Sequence, residues 1–122
     1  MANNLLFGEQ PIIIDKEIAL LIGLNESIVL QQISSLLEES KKTNTNFFNN
    51  RYWVRCSLTT LHEKYFIFWS IDTVKRTISR LESTGLLCVS NFNKDPLDRS
   101  KWYTVDVDAV DALSRKRSTT PD

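Results

Sequence analysis

The stretch from Phe66 to Gly85, Phe-Ile-Phe-Trp-Ser-Ile-Asp-Thr-Val-Lys-Arg-Thr-Ile-Ser-Arg-Leu-Glu-Ser-Thr-Gly, constrains the fold more than any other part of the chain. Ser70 closes a short aromatic and branched run and is a strong helix N-cap, because its hydroxyl accepts from an N–H of the first helical turn. Ile71, Val74, Ile78 and Leu81 then recur at spacings of three, four and three, which is one apolar face of a helix. Gly85 supplies the residue expected just past a helix end, where φ turns positive. At about 100° per residue, Asp72, Thr73, Arg76, Ser79, Arg80 and Ser83 fall on the opposite side, with Lys75 and Glu82 towards the flank. This helix must be packed on one face and open on the other. Hydroxyls and two arginines on an open face suit the major groove of DNA, and they also suit an ordinary solvated surface.

The flanks decide what such a helix belongs to. Ser57 caps a shorter helix, Leu58 to about Tyr65, with Leu58, Leu61 and Tyr65 inward. Only a few residues separate it from the helix at 71, which is the layout of a helix-turn-helix pair. After Gly85, Leu86 to Ser90 reads as a strand and Asn91 to Ser100 as a polar turn. Lys101-Trp102-Tyr103-Thr104-Val105 reads as a second strand. A hairpin directly after the second helix of such a pair is the wing of a winged-helix domain.

Upstream, 1–10 reads as a flexible lead-in, and Pro11 to Ile14 as a short extended run. Asp15 caps a helix from Lys16 to Ile22 that Gly23 closes, with Leu24 as its apolar contact. Asn25 is expected to cap a longer helix, Glu26 to Lys42, whose stripe of Val29, Leu30, Ile33, Leu36 and Leu37 faces a core or a second copy of the chain. A polar loop, Lys41 to Asn46, precedes a hairpin in which Asn49-Asn50 turns between Phe47-Phe48 and 51–55. Asp106 or Asp108 caps a last short helix ending near Leu113, and 114–122 reads as a disordered tail or linker. The domain then spans 11–113, in an α+β winged helix-turn-helix with additional N-terminal helices and a two-stranded wing.

A chain of 122 residues that is 42% hydrophobic and 25% charged fits one ordinary globular domain with its own core. The longest apolar run, near Ile18 to Ile22, is too short to span a bilayer, and no basic-then-apolar signal peptide opens the chain. A cytoplasmic location and two reduced thiols, Cys56 and Cys88, follow as expectations. One histidine and two separated cysteines make a zinc site improbable. The absence of a glycine-rich phosphate loop, nucleophile elbow or metal-ligand spacing argues against an enzyme, and no cofactor is expected.

Net charge is zero, which disfavours strong nonspecific nucleic-acid binding, but the charge is uneven. Residues 1–50 carry 3 basic and 6 acidic side chains, net −3, and residues 51–101 carry 9 and 5, net +4. Residues 102–122 carry 3 and 4, net −1. Phosphate binding depends on local basic density, so the +4 around the opening stretch keeps DNA in view. The candidate DNA-binding set is Ser70, Asp72, Thr73, Lys75, Arg76 and Arg80 on the helix, with Lys94, Arg99 and Lys101 on the wing. Thr73, Arg76 and Arg80 would enter the groove, and Ser70 and Asp72 stand at the helix end that usually meets base edges. Asp72 counts against phosphate contact, yet it favours its own helix dipole or a cytosine amino group. Against the wing contact stands a pairing of Arg99 with Asp95 or Asp98. Trp53, Trp69 and Trp102 read as packing, and His62, with no evident partner, as a surface residue.

Phe68-Trp69-Ser70, Thr73, Arg76, Leu81-Glu82, Gly85-Leu86-Leu87, Asn93-Lys94 and Asp98-Arg99-Ser100-Lys101-Trp102-Tyr103 together resemble the N-terminal winged-helix domain of phage and plasmid replication proteins of Gram-positive bacteria, the replisome-organiser or DnaD-like proteins. The similarity runs from about Ile12 to Val105 and is sharpest from Phe66 to Tyr103. It implies double-stranded origin or template DNA binding, self-association and replication-protein partners. Relatives often have proline where Ile67 stands, and many continue into a second domain. A short stand-alone relative and a piece of a longer protein both fit, so recruitment of a helicase loader is not carried over. A transcriptional repressor of the same fold, and a module that binds only protein, are the alternatives.

Overall fold

A computed structural model describes residues 14–118. Among them are five helices and two small antiparallel sheets, in a mixed α+β arrangement. The extended run expected at the N-terminus falls largely outside these residues, as do the lead-in and residues 119–122.

The first corner is built on Gly23. Asp15 caps α1 (Lys16–Ile22), its Oδ1 accepting from the Glu17 and Ile18 amides. Gly23, at φ 107°, ends α1 by donating to the Ala19 carbonyl. Its own carbonyl accepts from Ser27 N at 2.9 Å and so opens α2 (Leu24–Thr43). Asn25 is therefore inside the first turn of α2 and does not cap it. The helix also runs on to Thr43, through residues expected to be loop, and ends where Asn44 turns left-handed at φ 52°.

α2 is the central strut. It buries Ile28, Val29, Leu30, Ile33 and Leu37 against the rest of the core. Next, β1 (Phe47–Phe48) and β2 (Arg51–Tyr52) form the expected hairpin, with Asn49 and Asn50 both at positive φ, 53° and 60°. Two asparagines satisfy the mirror-image turn that matches strand twist. The strand does not continue to Arg55 in one sheet. Trp53 N returns to the Asn46 carbonyl at 2.9 Å, and the chain crosses to the second sheet as β3 (Val54–Cys56). Hydroxyls cover the carbonyls at this crossing: Thr104 Oγ1 donates to Tyr52 O at 2.8 Å and Ser40 Oγ to Trp53 O at 3.3 Å. That accounts for two of the buried polar residues, since buried carbonyls need donors.

Ser57 caps α3 (Leu58–Tyr65), which has the expected bounds, and Ser70 caps α4 (Ile71–Ser83), which starts where expected. α4 buries Val74, Ile78 and Leu81, but its first residue overhangs the core and leaves Ile71 exposed. At its end, Leu86 N bonds to Leu81 O at 3.0 Å and Gly85 N to Glu82 O at 3.1 Å, with Gly85 at φ 80°. This is a Schellman motif, and its two apolar partners, Leu81 and Leu86, are both buried. β4 (Leu87–Ser90) follows directly and pairs with β5 (Lys101–Val105). β3 pairs with the other edge of β5, giving the order β3-β5-β4 with Tyr103 buried at the centre. Asp106 Oδ1 caps α5 (Val107–Ser118) through Ala109 N. α5 extends beyond the expected end at Leu113, so 114–118 are helical where a disordered tail was expected.

Candidate nucleic-acid interface

The start of α4 is held by two of the candidate hydroxyls. Ser70 Oγ accepts from Thr73 N at 3.2 Å and lies 3.0 Å from Thr73 Oγ1. Thr73 is half-buried, and its carbonyl accepts from Thr77 Oγ1 at 2.7 Å. Ser70 and Thr73 therefore stand in the cap, and Thr73 is partly covered there. Asp72, Lys75, Arg76, Ser79, Arg80 and Ser83 form the exposed side of the helix. Asp72 sits in the first turn, where the helix dipole alone favours a carboxylate.

The three cations of this helix are not equivalent. Among the described residues no ion pair engages Lys75 or Arg76. Arg80 Nη1 lies 3.7 Å from Oε2 of Glu26, a buried residue in the first turn of α2.

The connection between α3 and α4 pivots on Phe66, which is fully buried and stacks on Trp69 with centroids 5.5 Å apart. His62 Nε2 reaches the Trp69 carbonyl at 2.7 Å, so His62 is a half-buried brace and not a surface residue. Ile67, Phe68 and Ile71 stay exposed beside the N-terminal end of α4.

The β4–β5 loop is a built structure. Asn93 Nδ2 donates to the Asp98 and Ser100 carbonyls, and its Oδ1 accepts from Trp102 Nε1 at 2.8 Å. Asp95 Oδ1 accepts from Leu97 N and Asp98 Oδ1 from Ser100 N, both at 2.9 Å. Arg55, directly across the sheet from Trp102, lies 5.7 Å from that ring's centroid and pairs with Asp98. The Ser100 amide first, and then the Arg55 guanidinium, hold the Asp98 carboxyl below the usual carboxylate range. Phe48 stacks on Phe92 at 4.9 Å, while Trp53 meets Phe92 edge-on at 5.0 Å, tying the β1–β2 hairpin to the base of the loop. Asp98 thus belongs to Arg55, and Asp95 to the loop backbone. Arg99 pairs with neither, and it is exposed together with Lys94 and Lys101. Arg55 and Phe92 brace the loop and were not among the candidates, whereas Asn93 stands among the residues that carry the resemblance. The register that sets Arg55 against Trp102 is the signal that marks Arg55.

No protein-family model, curated protein or solved structure matches the chain.

Among the described residues no group of three His, Cys, Asp or Glu side chains stands together to hold a metal. Cys56 and Cys88 are separate free thiols; burial pushes the Cys56 thiol up, against the opposing charge of Lys64. No described helix is long and apolar enough to cross a membrane. An open cleft of about 500 Å³ lies between α2, the β1–β2 hairpin and the start of α5, lined by Leu37, Phe47, Tyr52 and Val107 among others. None of the nine candidate residues lines it. The six candidate cations lie exposed on α4 and on the β4–β5 hairpin, two elements that follow one another in the chain.

Proposed function

We propose that this chain is a winged-helix domain that binds double-stranded DNA and catalyses nothing. α4 is then the recognition helix and the β4–β5 loop the wing. The element order α3, α4, β4, β5, with β3 on the far edge of β5, supports that reading. The observation that carries it is the open side of α4, where Lys75 and Arg76 are exposed near the helix start with no ion pair among the described residues. Recognition helices meet base edges at that end. Arg76 suits a guanine edge or a phosphate, and Lys94, Arg99 and Lys101 on a braced loop suit a flanking phosphate or the minor groove. The family-like aromatic and wing residues favour replication initiation or its control on a phage or plasmid in a bacterial cytoplasm. A second copy and other replication proteins are then the partners. A winged-helix repressor is the nearest alternative.

Anisotropy titration against mixed-sequence duplex at several salt concentrations tests this. Each lost phosphate contact flattens the slope of log K against log salt by about 0.9. Arg76→Ala should lose about one contact. Combined alanine replacement of Lys94, Arg99 and Lys101 should lose more than one. A wild type that binds no duplex even at low salt sinks the reading. A protein-binding module then takes its place, favoured by the exposed Leu20, at 87%, and Ile67, at 71%. Sedimentation across concentrations tests self-association separately.

A further inference from the structure

Glu26 is an acid in a core position. Its side chain is 10% exposed, and its Oε2 is buried with no hydrogen bond among the described residues. The positive end of α2 favours a carboxylate there, but a buried carboxylate short of donors is costly unless a cation faces it. Arg80 supplies the cation at 3.7 Å, too far for a hydrogen bond yet close enough for strong attraction, while 72% of its side chain stays in solvent. Gly23 belongs to the same unit: a Cβ there would meet Glu26 Oε1 at 2.2 Å, so the carboxylate occupies the space a side chain would take. The α1–α2 corner is thereby coupled to the exposed face of α4.

We propose that Glu26 is a positioning residue that restrains Arg80 on the protein and holds the DNA affinity of α4 below what its three cations would otherwise give. The inference rests on the DNA reading above. A phosphate approaching Arg80 must share the guanidinium with Glu26 or draw it away. In the first case the local charge is already neutralised and few counterions are released. In the second, a buried carboxylate is left without its partner. Arg80 therefore contributes less to DNA binding than Arg76, although both stand on the same face. Glu26→Gln keeps the shape, removes the charge and frees Arg80.

Salt-dependent anisotropy on Glu26→Gln, Arg80→Gln and the double variant, with thermal melts of each, tests this. Glu26→Gln should bind duplex DNA several-fold tighter at low salt, with a slope steeper by about 0.9. Adding Arg80→Gln to it should remove the gain. A purely structural pair would move the melting temperature and leave the slope alone, and that result overturns the inference, as does a shallower slope. If Glu26→Gln melts too low to assay, the comparison of Arg80→Gln with Arg76→Gln decides. The Arg80 variant should lose less than half the slope that the Arg76 variant loses, and equal losses overturn the inference. A wild type that binds no duplex, while melts still show Glu26 and Arg80 to be coupled, places the failure in the DNA reading and ends this inference with it.

Discussion

His62 Nε2 lies 2.7 Å from the Trp69 carbonyl and closes the α3–α4 connection from within. A carbonyl only accepts, so Nε2 carries the proton in this contact. The bond joins the last turn of α3 to the residue before the cap of α4, and so helps to fix the angle at which α4 is presented.

His62→Ala should then cost about 1 kcal/mol, the net worth of one partly buried hydrogen bond. For a domain of this size the melting midpoint should fall by about 4 °C. His62→Gln, which keeps a donor, should recover part of the loss. A midpoint unchanged from that of the exposed neighbour variant Glu63→Ala would show that the contact does not brace the turn.

Much of the fold was legible because its signals are local. The caps Asp15, Ser57 and Ser70 announce themselves by residue type, as do the positive-φ stops at Gly23 and Gly85. The bounds of β5 follow from a short aromatic and branched run between polar turns. What escaped reading depends on contacts between distant segments. Asn25 looks like a cap, but Gly23 already serves two helices and leaves no room for a second start. Arg80 and Arg76 look alike in sequence, and only the placement of Glu26 beneath the helix separates them. Arg99 has two acids nearby in the chain, and both are taken by Arg55 and by backbone amides.

The two positive-φ glycines should differ in their tolerance of alanine. At Gly85, φ is 80° and a Cβ would meet nothing within 4 Å, so Gly85→Ala should cost about 1 kcal/mol, the left-handed penalty alone. At Gly23, φ is 107° and a Cβ would strike the Glu26 carboxylate. Gly23→Ala should cost clearly more, about 2–4 kcal/mol, because strain and displacement of a buried charge add. Pairing Gly23→Ala with Glu26→Ala should recover part of the difference. Chemical denaturation of Gly85→Ala, Gly23→Ala, Glu26→Ala and the Gly23→Ala/Glu26→Ala pair checks this, and equal costs at the two glycines would remove the steric argument.

The β4–β5 loop should loosen in acid before the core does. The Asp98 carboxyl is held below its ordinary range, so its contribution is present above that range and is lost as pH falls through the lowered value. Amide exchange or proton-detected NMR of Asn93, Ser100 and Trp102 Nε1 should show the loop opening as the pH drops below about 4. Asp98→Asn should show the open behaviour already at neutral pH. Identical loop protection in that variant and the wild type would mean that Asp98 does not hold the loop.

At the alkaline end, Tyr103 should set a distinct loss of stability. Burial, followed by the nearby Cys56 and Glu82 charges, pushes its phenol from 10 to about 12. The unfolded chain therefore gives up this proton near pH 10 while the folded chain still holds it. The contribution is intact below pH 10 and falls away as pH rises to about 12, by roughly 2–3 kcal/mol at most. Lysines titrate in the same window, so the informative quantity is the difference between wild type and Tyr103→Phe. Phenylalanine fills the same buried position in β5 without a titrating group. The variant should match wild type to within about 1 kcal/mol at neutral pH and gain on it steadily between pH 10 and about 12. Urea melts at intervals across that range supply the measurement, and a difference that stays constant would rule out the buried phenol as the source.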